Sequence, residues 1–143
     1  RTTPDAKETA MSSEMFEKGR QIRTDVLGAE RVNKALDDVD DFNRDFQHLV
    51  TEYCWGACWS RDGLSRQQRS ILNLGMLAAL NRPHEFKLHF KGAINNGLSL
   101  KELREILIQF SIYCGVPAAI DAFRVAREAL AELDIDPSSM DKE

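Results

Sequence analysis

The sequence lacks the features that mark membrane, nucleic-acid-binding and disulfide-rich proteins. No apolar run reaches the roughly 18 residues that a membrane-spanning helix needs. No charged-then-apolar leader opens the chain, and no basic stripe with interleaved aromatic residues offers a surface for nucleic acid. The three cysteines are an odd number, which argues against a disulfide framework. We therefore expect a cytoplasmic protein with reduced cysteines that binds neither nucleic acid nor membranes.

The chain contains enough apolar material for one globular core. Of its 143 residues, 43% are hydrophobic and 29% are charged, and the formal net charge is -4. A chain of this length usually forms one domain. The sequence therefore predicts a single domain over residues 1–143, with loose polar termini at 1–12 and 134–143.

Helical periodicity dominates the sequence, and no stretch shows the sustained alternation of a strand. Two capping boxes, beginning at Ser65 and Ser99, open helices, while Gly28, Gly97 and Gly115 end them. Helices are expected over about 13–27, 29–36, 41–60, 65–80, 83–96, from 99 to the break at 115, and 117–133. The predicted fold class is all-α, with six or seven helices.

Two of these helices carry specific packing predictions. In the third helix, apolar residues at three- and four-residue spacing predict one apolar face: Phe42, Phe46, Leu49, Val50 and Tyr53. The fourth helix is apolar nearly all round, which predicts that it lies buried in a larger core. The acidic run at 37–41 predicts a solvated turn and helix start.

The cysteines and histidines do not form a recognisable metal or redox motif. Cys54 and Cys58 are four residues apart and share a helix face, but no Cys-x-x-Cys is present. No two of the three histidines have the i,i+4 spacing of a zinc-binding helix. The spacing therefore predicts no metal site, and thiol chemistry remains a minor alternative.

Three groups of residues are candidates for acid/base chemistry. Glu52, Trp55 and Trp59 have i, i+3, i+7 spacing, which fits either packing at a subunit interface or an aromatic cavity carrying one carboxylate. His89 lies among apolar residues and is either a hydrogen-bonded core histidine or a proton donor. Arg69, one turn into an apolar helix, is either exposed or paired with an anion.

Several motifs together resemble the carboxymuconolactone decarboxylase family. They are Y-C-W-G-A-C-W-S-R-D-G-L-S-R-Q-Q-R-S-I-L-N-L (53–74), A-L-N-R-P-H-E-F-K-L-H-F-K-G-A-I-N-N-G (79–97) and Y-C-G-V-P-A-A-I-D-A-F (113–123), with a further likeness over 16–32. The resemblance implies the helical fold of the alkylhydroperoxidase D-like superfamily, assembled into a ring that is a hexamer or trimer. The sequence departs from the family pattern at Cys58 and Cys114, and it lacks the thiol pair of the peroxidase branch.

The resemblance also implies an activity and roles for residues. The reaction is the cofactor-free conversion of γ-carboxymuconolactone to β-ketoadipate enol-lactone and carbon dioxide, in the protocatechuate branch of aromatic catabolism. His89, Glu52 and Arg69 match the expected catalytic residues. Trp55, Trp59, Arg61 and Tyr113 are assigned to binding a small anionic lactone.

Other interpretations remain open. Another decarboxylase or isomerase of the same family would act on a different lactone or cyclic substrate. A thiol peroxidase would use Cys54 or Cys58. A helical assembly protein would keep the ring and lack activity.

Overall fold

The computed structural model of the chain describes the backbone of residues 6–142 and the side chains of residues 14–140. Seven α-helices, one π-helical segment and one 3-10 helix follow one another. They are α1 (Ala6–Leu27), α2 (Ala29–Asp37), α3 (Arg44–Leu49), the π segment (Val50–Cys58), α4 (Arg66–Ala79), α5 (Pro83–Asn95), α6 (Leu100–Cys114), α7 (Val116–Glu132) and the 3-10 helix (Pro137–Lys142). No strand occurs within the described range, and the predicted all-α class is confirmed.

The chain divides into two compact units, one ending at Leu64 and the other beginning at Ser65. The prediction of a single domain stays a prediction.

At the N-terminus, α1 already includes residues 6–12, which were expected to be loose, while residues 1–5 lie outside the described part. At the C-terminus, much of the expected loose tail forms the 3-10 helix, and residue 143 is not described. In the described part, no helix is both long enough and apolar enough to cross a membrane.

In the first unit, α1 packs closely along the π segment. Ile22 and Val26 of α1 form a small core with Trp55 and Trp59. The backbones meet at two glycines: a Cβ on Gly56 would lie 2.5 Å from the Met15 carbonyl oxygen, and a Cβ on Gly19 would overlap the Thr51 carbonyl. Glycine at both positions therefore permits a contact that any side chain would prevent.

The prediction of one continuous α-helix over 41–60 is wrong. The segment begins as α3 and becomes π-helical at Val50. The hydroxyl of Thr51, which is fully buried, donates to the Gln47 carbonyl at 2.8 Å. A hydroxyl that bonds to the carbonyl four residues earlier competes with the main-chain bond and bends the helix. This bond and the close approach of α1 are the physical causes we assign to the change of helix type.

The buried face of this segment also differs from the predicted one. Of the five residues predicted to form it, four are exposed, at 98% for Phe42, 61% for Phe46, 53% for Leu49 and 60% for Tyr53, while Val50 is partly buried against the small core. The buried positions are instead Thr51, Trp55 and Trp59, which recur every four residues. A helix with wider turns repeats its faces at longer spacing than an α-helix. Since Phe42, Phe46 and Leu49 precede the π segment, this accounts only for the positions after Leu49.

The acidic run between α2 and α3 forms the predicted turn. The Asp40 carboxylate accepts hydrogen bonds from the backbone N–H groups of Phe42 and Asn43, at 2.9 and 3.0 Å. Arg44 pairs with Asp41 at 2.7 Å. These contacts satisfy amides at the start of a helix that would otherwise lack partners.

The second unit contains α4 to α7 around one apolar core. Both predicted capping boxes are confirmed: Ser65 with Gln68 opens α4, and Ser99 with Glu102 opens α6. Gly97 and Gly115 have φ angles of 94° and 96°, which suit glycine and explain why the preceding helices end there. The buried core consists of Leu74, Phe86, Phe90, Ala93, Leu98, Leu103, Leu107, Phe110, Ala119, Ala122, Val125, Ala126, Ala129 and Leu130.

The prediction that α4 is buried on all sides is wrong. Only Ser70 and Leu74 are buried in it, whereas Ile71, Leu72 and Met76 are exposed. The exposed apolar side chains line a cleft of about 480 Å³ between α4 and α6. The apolar composition of α4 thus provides both a core face and an apolar outer face.

Candidate functional site

In the first unit, Trp55 and Trp59 form a buried stack. Their ring centroids are 4.8 Å apart, the planes are inclined by 25°, and the residues are only 3% and 6% exposed. They pack on Ile22 and Val26 in the small core. Packing therefore accounts for both tryptophans, and their assignment to substrate binding stays a prediction.

Glu52 contacts a histidine that the sequence analysis did not connect with it. Its carboxylate Oε2 lies 3.2 Å from Nδ1 of His48, and the Glu52 side chain is only 13% exposed. Phe16 of α1 stacks on the His48 ring with centroids 4.8 Å apart. The i,i+4 spacing of His48 and Glu52 was the signal that could have found the pair. Glu52 and His89 belong to different units, and their predicted interaction stays a prediction.

Arg23 is a second residue that the sequence analysis missed. Its guanidinium donates to the Gln47 side-chain carbonyl at 3.1 Å and to the Thr51 hydroxyl at 3.2 Å. Burial lowers the pKa of Arg23 from its ordinary value, while the nearby charge of Cys54 raises it. The cation therefore lies half-buried against the π segment, where it can also contribute to holding an anion.

In the second unit, His89 of α5 faces Asn73 of α4. The side-chain amide nitrogen of Asn73 lies 3.5 Å from Nδ1 of His89. Phe86 and Phe90, on the same helix, are buried on the apolar core. Burial lowers the pKa of His89, and the charge of Glu85 acts in the opposite direction. The imidazole is therefore neutral at pH 7, and an amide donating to Nδ1 leaves the proton on Nε2.

Arg69 lies on the same face of α4 as Asn73, because residues four apart on an α-helix are neighbours. Asn73, which contacts His89, is therefore one turn from Arg69 on α4. A guanidinium can hold a carboxylate, and a neutral imidazole can accept a proton or donate a hydrogen bond from its N–H group. Asn73 was not predicted, since its contact with His89 depends on how the two helices pack.

The two remaining predicted residues are exposed. Arg61 lies in the turn after the π segment, where its backbone N–H donates to the Cys58 carbonyl at 3.2 Å. Tyr113, at the end of α6, is 83% exposed and lines the α4–α6 cleft beside Cys114. Neither Arg69 nor His89 lines this cleft. The structure thus places Tyr113 apart from the Asn73–His89 contact.

These features define an all-α protein with a candidate acid/base site on its second unit. The sequence profile of the carboxymuconolactone decarboxylase family matches residues 44–128. The chain belongs to the carboxymuconolactone decarboxylase family.

Individual relatives are similar over nearly the whole chain. A 4-carboxymuconolactone decarboxylase from Acinetobacter baylyi is 38% identical over 128 residues, covering 90% of this chain and 96% of the relative. The nitrosuccinic acid decarboxylase npaB from Metarhizium robertsii is 40% identical over 129 residues, covering 90% of each chain. An uncharacterized 15.0 kDa protein from Paracoccus denitrificans is 27% identical and covers 85% of this chain. The first two names support a decarboxylase of this family.

Proposed function

We propose that this protein decarboxylates γ-carboxymuconolactone to β-ketoadipate enol-lactone without a cofactor. The observation that carries the proposal is the similarity to the Acinetobacter 4-carboxymuconolactone decarboxylase, which extends over 96% of that enzyme. A substrate that can hold the electrons left by departing carbon dioxide needs no external electron sink. In this lactone, those electrons delocalise through the ring double bond to the lactone carbonyl.

The proposed reaction requires three contributions from the protein. It must bind an anionic substrate, for which Arg69 is the first choice and Arg61 the second. It must stabilise the developing enolate oxygen, an effect of about 3–4 kcal/mol for each well-placed donor. It must also protonate carbon, a step in which general acids contribute about two to four powers of ten.

His89 is the proposed proton donor or enolate partner. Its contact with Asn73 at Nδ1 supports a neutral ring that presents Nε2–H to the substrate. Arg69, on the same face of α4 as Asn73, supplies the cation. Glu52 is proposed to influence the protonation of His89, and Trp55 and Trp59 to exclude water.

Decarboxylation of nitrosuccinic acid is a second candidate function. It is favoured by the 40% identity to the Metarhizium enzyme, over 90% of each chain. Loss of carbon dioxide from a carbon that bears a nitro group leaves a nitronate, in which the nitro oxygens hold the negative charge. The protein would have to meet the same three requirements, so the same residues serve both hypotheses.

The wider alternatives remain a family decarboxylase or isomerase for another lactone or cyclic acid, a thiol peroxidase, and a helical assembly protein without activity. In each case we propose a homo-oligomeric ring, a hexamer or trimer, with no nucleic-acid or membrane partner. The exposed apolar residues of α4 and α6 support association between copies.

The test is to measure turnover of both acids by the wild-type protein and variants. γ-Carboxymuconolactone is generated in situ and followed by ultraviolet absorbance, and nitrosuccinate is followed by released carbon dioxide. His89→Ala is expected to lower kcat by about two to four powers of ten. Arg69→Met is expected to raise KM, because it removes the cation that binds a substrate carboxylate.

Two exposed residues provide matched controls. His84→Ala changes an exposed histidine on α5, and Arg66→Met changes an exposed arginine on α4. Both variants should retain wild-type kinetics. If His89→Ala keeps more than about half of the wild-type turnover, its acid/base role is wrong. If the wild-type protein turns over neither acid, both proposed substrates are wrong.

A further inference from the structure

His89 can serve the proposed reaction in two ways that require different charge states. To donate a proton to carbon, the ring must first be an imidazolium. To stabilise the enolate oxygen, it can act as a neutral ring whose N–H group donates a hydrogen bond. The contacts of α4 and α5 around the ring favour the second role.

The contact between α4 and α5 turns one nitrogen of the ring towards Asn73. The Asn73 side-chain amide nitrogen lies 3.5 Å from Nδ1 of His89. An amide N–H group only donates, so Nδ1 is the nitrogen that accepts and carries no proton. The hydrogen of the neutral ring is therefore on Nε2, which is turned away from Asn73.

A buried hydrogen bond between the same two helices holds Asn73 opposite His89. Ser70, one turn before Asn73, is fully buried. Its hydroxyl accepts a hydrogen bond of 2.8 Å from the side-chain amide of Asn96, directly after α5. Satisfied polar contacts in a region of low dielectric make the surrounding packing specific and rigid. They fix the position from which α4 presents Asn73 to the ring.

Burial outweighs the charges that act on His89 from its own helix and from α4. Glu85, one turn earlier on α5, favours the charged ring, but the loss of hydration on burial is the larger effect and lowers the pKa of His89. Arg69, one turn before Asn73 on α4, is positive, and a positive group cannot favour a second charge nearby. The local environment therefore keeps the ring neutral.

The acids of α7, which packs against α5, are matched by lysines. Glu128 and Glu132 each pair with Lys87 at 3.0 Å, and Glu132 also pairs with Lys91. Both lysines belong to α5, so positive charge on the same helix balances these carboxylates. They leave the neutral state of His89 unchanged.

We propose that Asn73 is a positioning residue that fixes His89 as the Nε2–H tautomer, and that this uncharged ring donates a hydrogen bond to the enolate oxygen. The inference rests on the proposed decarboxylation and chooses between the two roles that it leaves to His89. Asn73 acts through His89 rather than on the substrate. The proton that reaches carbon comes from water.

The proposed step balances with water as the co-reactant. The bond from the ring carbon to the departing carboxylate breaks, carbon dioxide leaves, and the electron pair passes through the ring double bond to the lactone carbonyl oxygen. Nε2–H donates a hydrogen bond to this oxygen and keeps its proton. Water then protonates carbon and is left as hydroxide. Loss of one well-placed donor of this kind lowers kcat by about two to three powers of ten.

Nuclear magnetic resonance of the whole chain with isotopically labelled histidine measures the tautomer directly. Spectra that correlate ring nitrogens with ring hydrogens distinguish a nitrogen that carries a proton from one that does not. His89→Gln identifies the signals of His89 among those of the three histidines. Above the ordinary histidine pKa of about 6.5, we expect the proton on Nε2. A proton on Nδ1 overturns the proposal.

Asn73→Asp tests whether Asn73 sets this state. A carboxylate accepts where the amide donates, so the proton of the neutral ring should move to Nδ1 and the pKa of His89 should rise. Gln67→Glu, the matched control, makes the same change from amide to acid at an exposed position of α4 and should leave the His89 signals unchanged. If Asn73→Asp keeps the wild-type tautomer and titration, Asn73 is not the positioning residue.

The dependence of kcat on pH separates the two roles of His89. A required imidazolium would cost about tenfold in rate for each pH unit above its pKa. A neutral donor loses nothing in this direction, so the wild-type rate should hold between about pH 6.5 and pH 8.5. A tenfold loss per pH unit in the wild-type protein that is absent from His89→Ala would make His89 the proton donor and overturn the proposal.

Failure of the inference and failure of the proposed function give different results. If the spectra show the proton on Nε2 but neither acid is turned over, the proposed reaction is wrong, and the catalytic role of His89 is wrong with it. If an acid is turned over and the spectra show the proton on Nδ1, the reaction stands and the inference about His89 and Asn73 is wrong.

Discussion

At the scale of single residues, His89 is the group in the candidate site whose charge state is set by burial. Desolvation lowers its pKa below the ordinary histidine value of about 6.5. The unfolded chain therefore binds a proton at a higher pH than the folded protein does. The contribution of neutral His89 to the free energy of unfolding is fully present above the ordinary histidine pKa. It declines as the pH falls from there towards the pKa of His89 in the folded protein.

This difference predicts the pH dependence of stability. Between about pH 7.5 and pH 5.5, the free energy of unfolding of the wild-type protein should decline more than that of His89→Gln, which has no imidazole to protonate. Urea denaturation at a series of pH values measures both curves. His84→Gln, which changes an exposed histidine, should follow the wild-type curve. Identical slopes for wild type and His89→Gln would contradict the assigned burial effect.

Local spacing identified the apolar surroundings of His89, but a second local signal was missed. Helical spacing placed His89 between Phe86 and Phe90, and both phenylalanines are in the core. The His48–Glu52 pair was also available from i,i+4 spacing and was missed. The contact of His89 with Asn73 joins two residues that are 16 positions apart in the chain and lie on different helices. No local pattern specifies it, because it depends on the packing of α4 against α5.

At the scale of elements, the crossing of α1 with the π segment depends on two glycines. Gly19 leaves no room for a Cβ, since it would overlap the Thr51 carbonyl and lie 2.7 Å from the Gly56 backbone nitrogen. These neighbours are main-chain atoms, which cannot move aside as a flexible side chain can. A methyl group at position 19 must therefore separate α1 from the π segment.

We expect Gly19→Ala to destabilise the protein by about 1–3 kcal/mol, the usual range for overpacking. Gly75→Ala is the matched control, because it adds the same methyl group within α4, where nothing lies within 4 Å. It should stabilise the protein by about 0.5–1 kcal/mol through the higher helix propensity of alanine. Chemical denaturation measures both values. Equal effects of the two substitutions would show that the crossing is not tightly packed.

The predicted elements were accurate where a local signal marks a helix end and inaccurate where distant parts of the chain meet. Capping boxes and helix-ending glycines are local signals, and they defined α4, α5 and α6 to within one or two residues of the structure. The π segment was not predicted. Its causes are the bond from Thr51 to Gln47 and the close approach of α1, and the second of these joins distant parts of the sequence.

At the scale of the whole molecule, the second unit exposes several large apolar side chains. The largest exposures on α6 and α7 are 78% for Ile112, 83% for Tyr113, 64% for Val116 and 63% for Ile120. The exposed α4 residues Leu72 and Met76 line the α4–α6 cleft together with Tyr113. Contiguous apolar surface of this kind marks interaction sites, which supports the proposed association between copies.

Light scattering after size-exclusion chromatography tests this association. The wild-type protein at micromolar concentration should have the mass of a trimer or hexamer of the 16.2 kDa chain. Ile112→Glu should shift the protein towards smaller species, because burying an unpaired carboxylate in an apolar contact is costly. Arg104→Glu also places an acid on α6, but at an exposed position that is already charged, and should leave the mass unchanged. A monomeric wild-type protein would refute the proposed ring. If both variants lose the assembly, the cause is the added acidic charge and not the loss of an apolar contact at Ile112.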